Sequence, residues 1–231
     1  SICIFLISFQ QIDISNKIKL CFRKSKRRMT RLTPILRKGR KALQDLDLLK
    51  VLQSEIAHEH SFNRFQNNQS GSLGNFLVEW DSPQSQDVVL RKTCESGEEV
   101  AVSAVLGPVT YGQESVFPRE VLMKVCLKKP GLSSMLQFDC GLSYRGNDVS
   151  EFDIHNANYI PSSIRVDSSL YRGPIFSSLD PQLQDALKEY LVSKGIGENL
   201  TNFLLLHLHK KEQVQYVDWL HKLESSVTKS K

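Results

Sequence analysis

Residues Tyr171–Leu223 read YRGPIFSSLDPQLQDALKEYLVSKGIGENLTNFLLLHLHKKEQVQYVDWLHKL, and two helices can be read in them directly. Asp180 is a suitable N-cap, and Pro181 sits at the first helical position, where its missing N–H is not needed. Leu183, Leu187, Tyr190 and Leu191 recur at spacings of three and four and predict one apolar stripe. Lys194 followed by Gly195 predicts the stop, because glycine enters the left-handed region without steric penalty. The next helix is expected to begin near Gly197 or Glu198. From Phe203 to Leu208 it is apolar on nearly every side, whereas a surface helix keeps one polar face. This stretch is therefore expected to lie between two partners. Beyond Lys210 and Lys211 the pattern turns amphipathic, with Val214, Val217, Leu220 and Leu223 on one side and Tyr216 and Trp219 beside them.

A helix pair of this kind needs a surface to pack on, and the preceding hundred or so residues supply one. FLVEW, DVVLRKTC, EEVAVSAVLG, REVLMKVCLKK, SSMLQFDCGL and SEFDIHNANYI are runs rich in β-branched and aromatic residues, separated by Gly, Pro, Asp and Ser clusters suited to turns. In REVLMKVCLKK, Val121, Met123, Val125 and Leu127 point one way and Leu122, Lys124, Cys126 and Lys128 the other, which predicts a half-buried antiparallel sheet. A weak seventh strand is expected near Ser163–Val166. Upstream, Leu46, Leu49, Leu52 and Ile56 predict an amphipathic helix from Ala42 to about His60. The reading is an α+β arrangement of helix, antiparallel meander, helix, helix. The sheet edges and the surplus helix surface would both be satisfied by oligomerisation.

The 231 residues suit one domain with an extension, and their net charge of +5 is unevenly spread. Residues 1–41 hold twelve Lys/Arg and one acid, a balance of +11, so residues 42–231 carry 5 − 11 = −6. Lys17–Lys41 contains Arg, Lys, Ser, Thr and Leu with no acid, the composition of a mitochondrial presequence, and Met29 is a candidate natural start. Ile2–Phe9 is apolar but far short of the ~20 residues that span a bilayer, so no membrane span is expected. The other reading of this block is a basic arm for nucleic acid, with RKSKRR as a nuclear signal. Five scattered cysteines without a CxxC pair argue for a reducing compartment and for small thiols packed in strands.

With these elements in place, particular words become familiar. VEWDSPQSQDVVLRK, GEEVAVSAVLGP, FPREVLMKVCLKKPGLSSMLQFDCG, YRGPIFSSLDPQLQDALKEYLVSKGI and NFLLLHLHKKEQVQYVDWLHKLE resemble the mitochondrial acidic matrix protein family, also called the mitochondrial glycoprotein family, a group that takes in the complement q-subcomponent-binding protein. The resemblance runs from about Leu43 to Val227 in one order of elements, making residues 42–231 a single domain behind the 1–41 leader. It implies an N-terminal helix, a seven-stranded, highly twisted antiparallel sheet and two C-terminal helices, assembled as a ring-shaped homotrimer in the mitochondrial matrix. It further implies a non-catalytic, chaperone-like protein without cofactors. Such a protein would bind basic or partly unfolded mitochondrial proteins and support oxidative phosphorylation, respiratory-complex assembly and mitochondrial translation.

On this reading Phe203, Leu204, Leu205, Leu206, Leu208, Val214, Val217 and Leu220 are the candidate subunit interface, and a charge at Leu205 or Leu206 is expected to dissociate the ring before unfolding the monomer. Glu95, Glu98 and Glu99, and separately Asp148, Glu151 and Asp153, are the candidate acidic patches for partners. Family members are usually more acidic than this chain, although three copies would still carry 3 × −6 = −18 and attract basic partners. The alternative is an RNA- or ribosome-associated regulator, mitochondrial or nuclear, that binds through basic residues such as Lys124, Lys128, Lys129, Lys210 and Lys211. Enzyme motifs are missing. GLSSM at Gly131–Met135 lacks the final glycine of a nucleophile elbow, and no phosphate-binding glycine loop occurs. His207 and His209 diverge by about 200° on a helix and predict packed histidines rather than a metal pair. The sequons at Asn68 and Asn199 need a secretory route, which the leader argues against.

Overall fold

The computed structural model describes residues 34–61, 71–109, 117–146, 149–161 and 171–228. They fall into two compact units, one holding the sheet and the helices up to Tyr216, the other holding the N-terminal helix and the chain from Val217 onward.

In the larger unit the six apolar runs become six strands: β1 (Leu77–Trp80), β2 (Asp87–Thr93), β3 (Glu99–Val109), β4 (Arg119–Lys128), β5 (Met135–Gly146) and β6 (Val149–Ile160). They pair in chain order as one antiparallel meander. The period-2 alternation decides the two faces. Val102, Val125, Phe138 and Ala157 form one row across four strands on the inner face, with the first three at most 1% exposed. Ser103, Lys124, Asp139 and Asn156 form the neighbouring row on the outer face. The expected seventh strand at Ser163–Val166 lies outside the described residues. Just beyond it the chain runs beside β6, where Tyr159 N–H donates to Arg172 O at 3.1 Å and Ile175 bridges Asn156.

Helices α2 (Pro181–Ser193) and α3 (Glu198–Thr228) follow. Asp180 caps α2 as expected, its carboxylate accepting from Gln182 N–H at 2.9 Å. The stop is a Schellman turn: Ile196 N–H reaches Leu191 O at 3.1 Å, Gly195 N–H reaches Val192 O at 2.9 Å, and Gly195 adopts φ +92°. Leu191 and Ile196, the apolar pair that accompanies this turn, are both fully buried. Leu183 departs from the expected stripe. It stands in the first turn of α2 and is 46% exposed.

The all-round apolar stretch of α3 is explained within one chain. Leu204, Leu205, Leu206 and Leu208 are at most 5% exposed and belong to the same core as Phe138, Leu142 and Val125. The sheet covers one side, where Ser150 Oγ and Thr201 Oγ1 share a buried hydrogen bond of 2.6 Å and Asn202 Oδ1 accepts from Ser150 N–H. A second side is covered by the chain before β1. Gly71 lies so close to α3 that a Cβ there would overlap Asn199 O and Phe203 N. The β1–β2 loop covers a third: Lys211 Nζ donates to Asp81 Oδ1 (2.5 Å) and Asp87 O (2.8 Å), and Gln215 Nε2 donates to Pro83 O (2.8 Å) and Ser85 O (2.7 Å). The expectation that these leucines need a neighbouring subunit is therefore corrected. Their own chain wraps them.

In the smaller unit α1 runs from Pro34 to Ser61, starting inside the block read as leader. Pro34 at the first helical position, followed by a run of good helix formers, accounts for the longer helix. Leu52 and Ile56 pack against Leu220, with Leu223 and Val227 beside them, and Gln53 Nε2 donates to Glu224 Oε1 at 3.0 Å. Leu46, expected on this face, is 43% exposed.

Candidate functional site: the acidic sheet face and helix α3

The helices of the larger unit cover only the inner face of the sheet, because the apolar side chains of every strand alternate to that side. Register and alternation put Glu79, Asp87, Glu99, Glu120, Asp139, Glu151 and Asp153 on the outer face with Arg91, Lys124 and Lys128; with Glu151 set aside because Lys188 of α2 pairs with it, six acids stand against three bases, a local charge of −3. The charges are organised in short networks. Arg91 binds Glu79 through Nε (3.0 Å) and Nη2 (2.9 Å), and Glu99 through Nη1 (3.3 Å). Asp139 accepts from Gln137 Nε2 (3.1 Å) and Asn158 Nδ2 (3.2 Å) and lies beside Lys124 in register. Small residues keep the face low in its middle, where Ala101, Ser103 and Cys126 are at most 1% exposed. At Gly141 a Cβ would overlap Glu120 Oε1 and stand 2.8 Å from His155 Cε1, so a carboxylate and an imidazole meet above this glycine.

The residues expected to form acidic patches take different roles. Glu95 and Asp153 are exposed, while Glu99 and Glu151 are half-buried and paired, Glu151 with Lys188 of α2 at 3.3 Å. Asp148 lies outside the described residues. Glu98 is a correction, since its side chain is only 6% exposed and is bound by Lys194 Nζ and by Tyr190 Oη at 3.2 Å. Lys194 donates to this carboxylate and holds its pKa below the usual range, against the opposing effect of burial and with help from Tyr190. Glu98 joins the start of β3 to the end of α2 and is unavailable to a partner. Asp139 and Glu120 were not singled out in the sequence, although the alternation of Phe138 and Cys140 with Asp139 already places that carboxylate outward.

Of the candidate interface residues, Leu204, Leu205, Leu206 and Leu208 are core, and Leu220 is buried in the smaller unit. Phe203 and Val217 are half-buried and Val214 is 63% exposed, so these three retain surface for a neighbour. Among the bases named for the alternative reading, Lys211 is committed to the β1–β2 loop with its side chain 9% exposed. His207 stacks on Phe203 at 5.1 Å and reaches Asp81 Oδ2 through Nε2 at 2.8 Å. His209 is buried, its Nδ1 is 2.8 Å from Leu205 O, and burial pushes its pKa down. Burial also pushes the Cys126 and Cys140 thiols up to about 12, which leaves them inert near neutrality. Among the described residues no group of three or more His, Cys, Asp or Glu is placed to hold a metal, and no helix is long and apolar enough to cross a membrane.

A 50-residue segment, 22% of this chain, is 42% identical to the mitochondrial acidic protein mam33 of Schizosaccharomyces pombe, and the match covers 19% of that protein. The fold is similar to the crystal structure of the Trypanosoma brucei p22 protein, with a TM-score of 0.62 at 19% identity over 80% of this chain and 99% of that one. A Leishmania major protein of unknown function, described as a sequence homologue of human p32, gives a TM-score of 0.60 at 19% identity with the same coverage of both chains. The sequence profile of the MAM33 mitochondrial glycoprotein family matches residues 112–227. With half of its length matched from before β4 to the end of α3, the chain belongs to the mitochondrial glycoprotein (MAM33) family.

Proposed function

We propose that this chain is a non-catalytic, homotrimeric binding protein of the mitochondrial matrix, which takes basic or partly unfolded proteins on the outer face of its sheet. Through that binding it supports respiratory-complex assembly, oxidative phosphorylation and mitochondrial translation. The observation that carries the reading is the one-sided sheet: helices cover the apolar face, and the open face holds six acids against three bases. A charged, concerted surface of this kind favours partners of opposite sign by steering them before contact. Family membership, and the mitochondrial naming of the family and of the fission-yeast relative, support the compartment. The basic block of residues 1–41 is proposed to include the presequence. Trimer formation is supported by Val51 (65% exposed) and Leu48 (47% exposed) on α1 and by Val214 on α3, apolar positions that a lone chain leaves in water.

Sedimentation of the full chain and titration with a Lys/Arg-rich peptide at increasing salt test this together. A mass of three chains and binding that weakens steeply with salt are expected. Replacing Asp139 and Asp153 by Asn is expected to weaken the peptide about tenfold, the worth of two exposed charge pairs. A monomer, an unchanged affinity in the double variant, or tighter binding of single-stranded RNA than of the basic peptide would overturn the proposal.

A further inference from the structure

At the end of the sheet where the β4–β5 turn faces α2 lies a cavity of about 200 Å³ that the acidic-face reading does not use. Its floor is the Glu98 carboxylate with Tyr190, one wall is Leu127 and Met135, and Leu132, Tyr159 and Lys129 form the rim. The volume is below the range of about 300–1,000 Å³ of sites for free small molecules but sufficient for one large side chain. Leu132 and Tyr159, 52% and 55% exposed, present apolar surface to whatever enters, and the buried Leu127 continues it inward.

Charge then selects among side chains. The single acid of the site, Glu98, is already matched by Lys194, and the Tyr190 hydroxyl occupies its other oxygen. Lys129 is exposed at the rim and acts on Glu98 only through space, as the weakest of the contributions that lower its pKa, behind the direct contacts of Lys194 and Tyr190. Two cations against one anion leave the cavity at +1, so it rejects a lysine or arginine. It accepts an uncharged apolar side chain whose neighbour carries a carboxylate. We propose that this cavity is an anchor for a peptide segment of a partner protein in which a large apolar residue is followed by an acidic one, the apolar side chain filling the space and the carboxylate meeting Lys129. This preference is opposite in sign to that of the sheet face and does not depend on it.

The methionines make the test direct. The chain has three, of which Met135 lines the cavity and Met123, 2% exposed on the inner face, serves as an internal reference. Full-length protein with labelled methionine methyl groups is titrated with capped Gly-Phe-Glu-Gly, Gly-Phe-Lys-Gly and Gly-Ala-Glu-Gly peptides. The Phe-Glu peptide is expected to move the Met135 signal saturably and leave Met123 in place. The Phe-Lys peptide should bind about two- to fivefold more weakly, the worth of one exposed ion pair, and the Ala-Glu peptide should not saturate. Lys129→Glu, on an exposed side chain, should reverse the order of the first two, and Leu132→Ala should weaken both. An unmoved Met135 signal, equal affinity for Phe-Glu and Phe-Lys, or parallel movement of Met123 would overturn the assignment.

Discussion

Lys194, the C-cap of α2, donates its ammonium to the carboxylate of Glu98 at the edge of β3, and only 6% of the glutamate side chain is exposed. The pair ties the last turn of a helix to the sheet it covers, and Tyr190 Oη adds a third contact at 3.2 Å. Lys194→Met is expected to destabilise the chain by about 3 kcal/mol, because it strands a buried carboxylate. Replacing both residues by apolar ones should recover most of that loss, which urea unfolding of the two single variants and the double variant will read. Lys194 lowers the Glu98 pKa, so this stability is present above the ordinary value of 4.5 and fades as pH falls through the lowered one. Glu98 in turn raises the Lys194 pKa, so its contribution persists below the ordinary 10.5 and is lost as pH rises past the raised value. Glu98→Gln should flatten both limbs.

Leu205 is 2% exposed inside its own chain, which reverses the order of events expected from the sequence. Leu205→Ala should cost about 2–5 kcal/mol of chain stability, and Leu205→Asp more. Circular dichroism should then lose helix signal, and sedimentation should lose the proposed trimer with it. A folded monomer of Leu205→Asp would show that the residue serves the interface instead.

Asp81 holds the β1–β2 loop on α3 by accepting from Lys211 Nζ at 2.5 Å and lying 2.8 Å from His207 Nε2. Burial alone would raise its pKa, but Lys211 and His207 outweigh burial and hold it below the ordinary 3.8. Its contribution is therefore present above that value and lost as pH falls through the lowered one. Asp81→Asn is expected to cost about 1–2 kcal/mol and to speed hydrogen exchange in Ser82–Gln86 while β3 and β4 remain protected.

Two glycines should respond differently to alanine. At Gly71 the new Cβ overlaps backbone atoms of Asn199 and Phe203, which cannot move without shifting the start of α3. At Gly141 it meets the far end of Glu120 and the edge of the His155 ring, which can turn away. Thermal unfolding should show a loss of about 2 kcal/mol or more for Gly71→Ala and below about 1 kcal/mol for Gly141→Ala. Comparable losses would mean that Glu120 and His155 are held as rigidly as backbone.

Much of the fold was open to reading because its determinants are local. Alternation of Val121, Met123, Val125 and Leu127 names the inner face of β4, and Asp180-Pro181 and Lys194-Gly195 mark the ends of α2, each through the geometry of a few adjacent residues. Only the tertiary structure could decide what surrounds Leu204–Leu208, since the covering groups come from Gly71, Asp81 and Ser150, far away in the chain. An apolar run states that water must be excluded; it does not state by which surface. The same limit applies to charge. Glu98 and Glu95 look alike in the sequence, yet one faces water and the other is paired beneath Tyr190, because pairing depends on where α2 ends in space. Local backbone chemistry thus determined the elements and their faces, and the meeting of distant segments decided which of their residues remain available to a partner.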